Sequence, residues 1–138
     1  MPVYSPHHIA LSVSNLERSI EFYSSFGFNR VGGWKPDDAT LEIVNLRNGN
    51  MLLELFCYTS SKPLPEHSKD LWQDLPVVGV KHFGLQVASI DEAKRDLQAK
   101  GLDILHEDIN EDRSGANYFF VKDPDGILVE IIEDNRGY

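Results

Sequence analysis

Residues 8–28, HIALSVSNLERSIEFYSSFGF, and residues 82–102, HFGLQVASIDEAKRDLQAKGL, are two versions of one pattern. Each opens on a histidine and alternates bulky apolar with small or polar residues. Each then meets a cap-like residue, runs on with helical periodicity and reaches a glycine. An internal repeat constrains the fold strongly, because each copy must build the same supersecondary unit and leaves an apolar face that needs cover.

The first copy predicts a helix from about Leu16 to Phe26. Ser14 or Asn15 serves as N-cap, and Leu16, Ile20, Tyr23 and Phe26 form the apolar stripe. Gly27 stops it, because glycine enters the left-handed region cheaply. The second copy predicts a helix from about Ile90 to Lys100, capped by Ser89, striped by Ile90, Ala93 and Leu97 and stopped by Gly101. Three strand-like runs follow each helix. After the first they fall at about 29–35, 40–47 and 51–58, with RNGN (47–50) as a hairpin turn. After the second they fall at about 103–109, 117–122 and 127–133, with DPDG (123–126) as a turn. Each half therefore reads strand–helix–strand–strand–strand. The expected fold is α+β, one domain over 1–138 made of two βαβββ modules, about 5–58 and 80–134. The Pro-rich and polar stretch 59–79 reads as a linker, with a short helix in HSKDLWQDL.

Side chains alternate across a strand. Ile9, Leu11 and Val13 oppose His8, Ala10 and Ser12, while Phe83, Leu85 and Val87 oppose His82, Gly84 and Gln86. The bulky face suits the following helix. The small, polar face with a histidine at its edge suits a cavity wall. The last strands repeat the theme: MLLELF (51–56) is interrupted by Glu54, and ILVEII (127–132) by Glu130. Glu54 follows His8 by 46 residues and Glu130 follows His82 by 48. A carboxylate buried without compensation costs several kcal/mol or takes up a proton, so a cation is the expected companion. Two imidazoles and two carboxylates suit one divalent metal, Ni²⁺, Co²⁺, Zn²⁺, Mn²⁺ or Fe²⁺.

These residues carry a family resemblance over about 7–133, in HIALSVSNLERSIEFYSSFGF, LLELF (52–56), HFGLQVASIDEAKRDLQAKG and YFFVKDPDGILVEIIE (118–133). The chain resembles the vicinal oxygen chelate superfamily, which includes glyoxalase I, bleomycin- and fosfomycin-resistance proteins, extradiol dioxygenases and methylmalonyl-CoA epimerase. The resemblance implies paired βαβββ modules with curled mixed sheets around a metal, and His8, Glu54, His82 and Glu130 as its ligands. That ligand set looks like glyoxalase I (lactoylglutathione lyase). It implies a metal-dependent lyase or isomerase that stabilises the enediolate of a small oxygen-chelating substrate, such as a methylglyoxal–thiol hemithioacetal, with Glu130 or Glu54 as the base. Two positions depart from that enzyme: Ser12 stands where an arginine that grips glutathione is typical, and Tyr58 where an asparagine is. They put glutathione in question and leave the metal set untouched. The alternatives are another reaction of the superfamily at the same metal, such as epimerisation, oxygenation or thiol transfer to an epoxide, and a metal-free binding or resistance module.

Other features have plainer readings. His7 neighbours His8 without a role, and His67 and His106 face solvent. Cys57 is a buried small hydrophobe, since a lone strand cysteine beside ELF is packing material. The Gly32–Gly33 pair marks a bulge or bend. Trp34, Tyr118 and Phe120 are core or pocket lining, and the linker with His67 and Trp72 shapes the pocket. HEDINEDRSG (106–115) reads as a solvated hairpin. With 13 Lys and Arg against 22 Asp and Glu, the formal charge of −9 argues against nucleic acid as a partner. No apolar run suits a bilayer. MPVYSPHH lacks the basic and apolar segments of a signal peptide. With one cysteine, the expectation is a cytoplasmic protein, and open sheet edges lead us to expect a homodimer.

Overall fold

The computed structural model describes residues 1–108 and 115–138, and it divides into two compact units, Met1–Pro63 and Leu64–Tyr138. The expected 106–115 hairpin lies, over 109–114, outside the described residues.

The first unit runs β1 (His8–Ser12), α1 (Leu16–Ser24), β2 (Asn29–Trp34), β3 (Leu41–Asn48) and β4 (Met51–Tyr58). Its open four-stranded sheet has the order β1-β4-β3-β2, with β1 parallel to β4 and the other pairs antiparallel. Asn15 is the cap: its Oδ1 accepts from the Arg18 amide at 3.0 Å. Gly27, at φ +86°, ends the helix, and the Phe28 amide reaches back to the Tyr23 carbonyl at 3.2 Å. The buried stripe of α1 is Ser19, Phe22 and Tyr23, with the expected Leu16, Ile20 and Phe26 only half-buried. A scan for apolar types passes over Ser19, which is fully buried and small enough to bring the helix close to the sheet. The core beneath holds Leu11, Val13, Phe28, Val44, Leu46, Leu53 and Leu55. The expected bulge is present between Arg30 and Gly32. Gly33 beside it is required by space, since a Cβ there would lie 2.7 Å from the Ile43 carbonyl oxygen.

The second unit begins with the stretch expected to be a linker. A short 3-10 helix, Glu66–Lys69, leads into a single turn, α2 (Leu71–Asp74). Then come β5 (Phe83–Gln86), α3 (Ile90–Ala99), β6 (Leu105–Asp108), β7 (Ala116–Lys122) and β8 (Leu128–Asp134). The sheet order β5-β8-β7-β6 repeats the first, with β5 parallel to β8. Ser89 caps α3 through a 3.3 Å bond from the Glu92 amide, and Gly101 ends it at φ +83°. In the DPDG turn, Asp123 Oδ1 accepts from the Asp125 and Ile127 amides, both at 2.9 Å. One sheet face buries Phe83, Phe119, Val121, Val129 and Ile131; Ile90 and Leu97 of α3 are buried as well. The other face carries a smaller cluster, Leu71, Phe120 and Leu128, flanked by Leu105 and Tyr118. Residues 64–74 thus fold onto this sheet, because Leu71 supplies apolar cover that the strands leave open.

Asp74, at the end of α2, is buried yet charged. Its Oδ1 accepts from Ser68 Oγ at 3.0 Å and lies 3.2 Å from Lys81 Nζ and 3.7 Å from His67 Nε2. Burial opposes the charged form, but the Ser68 hydroxyl and the Lys81 ammonium outweigh it and hold the carboxyl below its ordinary value of 3.8. No helix among the described residues is long and apolar enough to cross a membrane.

Two outcomes follow. Gly33→Ala should destabilise the protein by about 2 kcal/mol, as overpacked sites do. Gly32→Ala, whose added Cβ meets nothing nearer than 3.9 Å, should be close to neutral. Urea titration of both variants measures the difference. Because the folded Asp74 carboxyl has the lower pKa, its stabilisation is present above about pH 4 and fades as the pH falls further. The thermal midpoint should therefore drop between pH 5 and pH 3, and Asp74→Asn should shrink that drop.

Candidate functional site

Parallel pairing of the first and last strand decides which residues share a face. In the first unit Ala10 pairs with Glu54 and Ser12 with Phe56, so His8, Ala10, Ser12, Glu54 and Tyr58 lie on the face opposite Leu53 and Leu55. In the second, Gly84 pairs with Glu130. His82, two residues before Gly84, stands as His8 stands before Ala10. Each unit thus presents one histidine and one glutamate in equivalent register.

In the second unit the pair is closed. His82 Nε2 lies 3.1 Å from Glu130 Oε2, both side chains about one-fifth exposed. The His82 ring meets Phe120 edge-on at 4.8 Å, and Phe120 faces Glu130 across the ladder. Gly84 leaves room: a Cβ there would come within 3.9 Å of Glu130 Oε2. His82 Nδ1 is buried and has no partner among the described residues. In the first unit the pair is open. His8 Nδ1 lies 2.9 Å from Nδ1 of His7, so His7, expected to be a bystander, touches the candidate ligand.

The cross-strand neighbours of Glu54 are Ala10 and Asn45, and those of Glu130 are Gly84 and Phe120. None is a cation. Arg47, two rungs along the ladder from Glu54, turns to the Gly49 carbonyl at 3.5 Å. Within either unit no three His, Cys, Asp or Glu side chains converge among the described residues. Each half therefore offers two donors. The donor set fits a borderline divalent ion. The 3.1 Å spacing of His82 Nε2 and Glu130 Oε2 is that of neighbouring ligand atoms around one cation at bonds of about 2.1 Å.

The remaining expectations divide. His106 is half-buried rather than solvent-facing: its ring lies 6.0 Å from Trp72 and 6.1 Å from Phe120. It sits at φ +49° where the β6–β7 register shifts. Unlike the bulge at Gly32, this one has no glycine in its strand to mark it, so spacing could not have placed His106. His67 is exposed, as expected, and within reach of Asp74. Cys57 is half-buried rather than buried, because its strand position falls at the margin of the core face. Trp34 is exposed, so it belongs to no core. Tyr118 and Phe120 lie on the His82 side, where Tyr118 donates to Asp108 at 3.3 Å. Trp72 rises beside them from α2, which residue spacing had hinted at only as a short helix in a linker.

Comparison with known proteins places the chain. Residues 5–131 match the model of the Glyoxalase/Bleomycin resistance protein/Dioxygenase superfamily. The chain is 30% identical over 137 residues to the uncharacterized protein YwkD of Bacillus subtilis, covering 96% of this chain and 99% of that one. It is 34% identical over 125 residues to the trivalent organoarsenical cleaving enzyme of Bacillus sp. MD1, covering 86% of this chain and 66% of that enzyme. A glyoxalase family protein from Enterococcus faecalis shares the fold, with a TM-score of 0.77 at 24% identity over 94% of this chain and 97% of that one. The chain belongs to the glyoxalase/bleomycin resistance/dioxygenase superfamily.

Glu54 lies between Leu52 and Phe56 on its face, and its cross-strand neighbours among the described residues, Ala10 and Asn45, are uncharged. In chelator-treated protein Glu54→Leu should therefore leave stability unchanged or raise it by about 1 kcal/mol. Loss of stability would show that the carboxylate serves the fold. Thermal denaturation in chelator measures this.

Proposed function

We propose that this member of the superfamily is a divalent-metal-dependent lyase or isomerase of the glyoxalase I type. His8 and Glu54 from one unit and His82 and Glu130 from a second, of the same chain or of its partner in a homodimer, serve one ion. The observation that carries the reading is the shared register of the two His–Glu pairs, closed to 3.1 Å at His82 and Glu130. Ni²⁺, Co²⁺ and Zn²⁺ suit two imidazoles and two carboxylates best, with Mn²⁺ and Fe²⁺ next. When bound, the ion supplies Lewis-acid stabilisation of oxyanion charge on a substrate with two neighbouring oxygens.

The chain's own groups supply the rest. A glutamate takes the proton from the carbon bearing the hydroxyl and returns it to the adjoining carbon, while the hydroxyl proton passes to the oxygen on that adjoining carbon, so a hemithioacetal becomes a thioester with no net oxidation. Glu130 and Glu54 are the two carboxylates available, one on each site face. Ser12 and Tyr58 lie on the face of Glu54, at the positions where glyoxalase I typically carries an arginine that grips glutathione and an asparagine. The thiol half of the substrate is therefore held by other means, or is a thiol other than glutathione. The chemistry of the Bacillus sp. MD1 relative suits the chain less well. Trivalent arsenic seeks thiolates, and the single cysteine, Cys57, belongs to the set of β4 positions that faces the helix side.

Protein purified without an affinity tag should carry a near-stoichiometric divalent ion by elemental mass spectrometry. Chelation should abolish thioester formation from methylglyoxal and a thiol, and Ni²⁺ or Co²⁺ should restore it. Glu130→Gln or Glu54→Gln, whichever removes the base, should lower kcat at least a hundredfold with the metal still bound. A protein that binds no divalent ion would sink the reading.

A further inference from the structure

His8 and His82 occupy equivalent positions but are held differently. His8 is inside its strand, paired with Leu52. His82 precedes its strand, whose ladder with β8 begins only at Phe83 and Val129. The chain that delivers His82 is tied at its start, where the Leu75 and Val77 amides bond the Leu71 and Asp74 carbonyls at 3.0 and 2.9 Å, but beyond them the stretch 78–80 is exposed: Val78 and Val80 almost fully so, with Gly79 at φ +147°. What anchors it is the next residue. Lys81 Nζ donates to the Asp74 carbonyl at 3.0 Å and lies 3.2 Å from Asp74 Oδ1. Both groups are largely buried, with the lysine side chain 18% and the aspartate 7% exposed.

Asp74 is itself fixed from several sides. Ser68 Oγ donates to it at 3.0 Å, and its own amide bonds the Asp70 carbonyl at 3.0 Å. The same turn seats Leu71 against Phe120 and Leu128, and Phe120 is the ring that packs on His82. One helical turn therefore grips His82 twice, through the backbone at Lys81 and through the ring at Phe120.

We propose that Asp74 and Lys81 form a latch that positions His82, so that the second half of the site is assembled by the segment 66–81 and not by the sheet alone. The inference rests on the reading of His82 as a metal ligand. Asp74 and Lys81 touch neither substrate nor metal and are positioning residues. A partly buried ion pair suits this task, because moving either end leaves an uncompensated charge.

The test compares Lys81→Met, Lys81→Arg and the double variant Asp74→Asn/Lys81→Met, which leaves no buried carboxylate uncompensated if the single variant fails to fold. Gly33→Ala, a destabilising change in the other unit, is the control. Ni²⁺ affinity is read by competition with a chromophoric chelator, and the His82 ring by nuclear magnetic resonance of metal-free protein. Lys81→Met should weaken Ni²⁺ binding about tenfold or more and shift or broaden the His82 ring signals. Lys81→Arg should restore both, and Gly33→Ala should change neither. Lower thermal stability in Lys81→Met with unchanged affinity and unchanged ring signals would overturn the latch. If the wild-type protein binds no metal, the reading of the site has failed. The ring signals of the metal-free variants then decide the latch alone, disturbance supporting it and constancy overturning it.

Discussion

Parallel pairing between the first and last strand of each half is the constraint on which the rest depends. It brings Ala10 beside Glu54 and Gly84 beside Glu130, across more than forty residues of chain. A parallel pair needs a crossover, and here the helix and two further strands supply it. The crossover helix covers one face of the sheet with Leu53, Leu55, Val129 and Ile131 beneath it. The opposite face carries the histidines and glutamates, joined in the second unit by Leu71, Phe120 and Leu128. Site and core are thus two sides of the same four strands, and a one-residue slip would exchange them.

A carboxylate among apolar strand residues costs stability unless a partner compensates it. The chain limits the cost in different ways in its two halves. Glu130 has the His82 imidazole at 3.1 Å and the small Gly84 alongside. Glu54 has Ala10 and Asn45, while its histidine turns to His7. A repeated backbone therefore carries two unequal His–Glu pairs, and the inequality arises where the copies differ: Gly84 for Ala10, Phe120 for Asn45, and His7 beside His8.

Much of this was legible from residue types. Asn15, Ser89, Gly27, Gly101 and the DPDG turn act locally, through hydrogen bonds and φ preferences spanning a few residues, and all stand where spacing put them. The alternation that sorted Glu54 and Glu130 from the core is equally local. Ser19 was missed because burial of a small polar residue has no apolar signature. His106 was misjudged because a backbone bulge turned it between Trp72 and Phe120. Residues 64–79 looked like a linker because their anchors, Leu71 and Asp74, are single residues in a polar stretch whose partners lie far along the chain or beyond the loop.

By itself the amino-acid sequence determined the repeated strand–helix–strand–strand–strand order, the caps and turns, and which residues of each strand oppose the core. Those features follow from the two periods of regular backbone and from local hydrogen bonding. Only the tertiary structure decided that His82 closes on Glu130 while His8 does not close on Glu54, and that α2 folds against the second sheet with Asp74 holding Lys81. Side-chain pairing across a ladder and packing between distant segments depend on distances in space. No spacing along the chain encodes them.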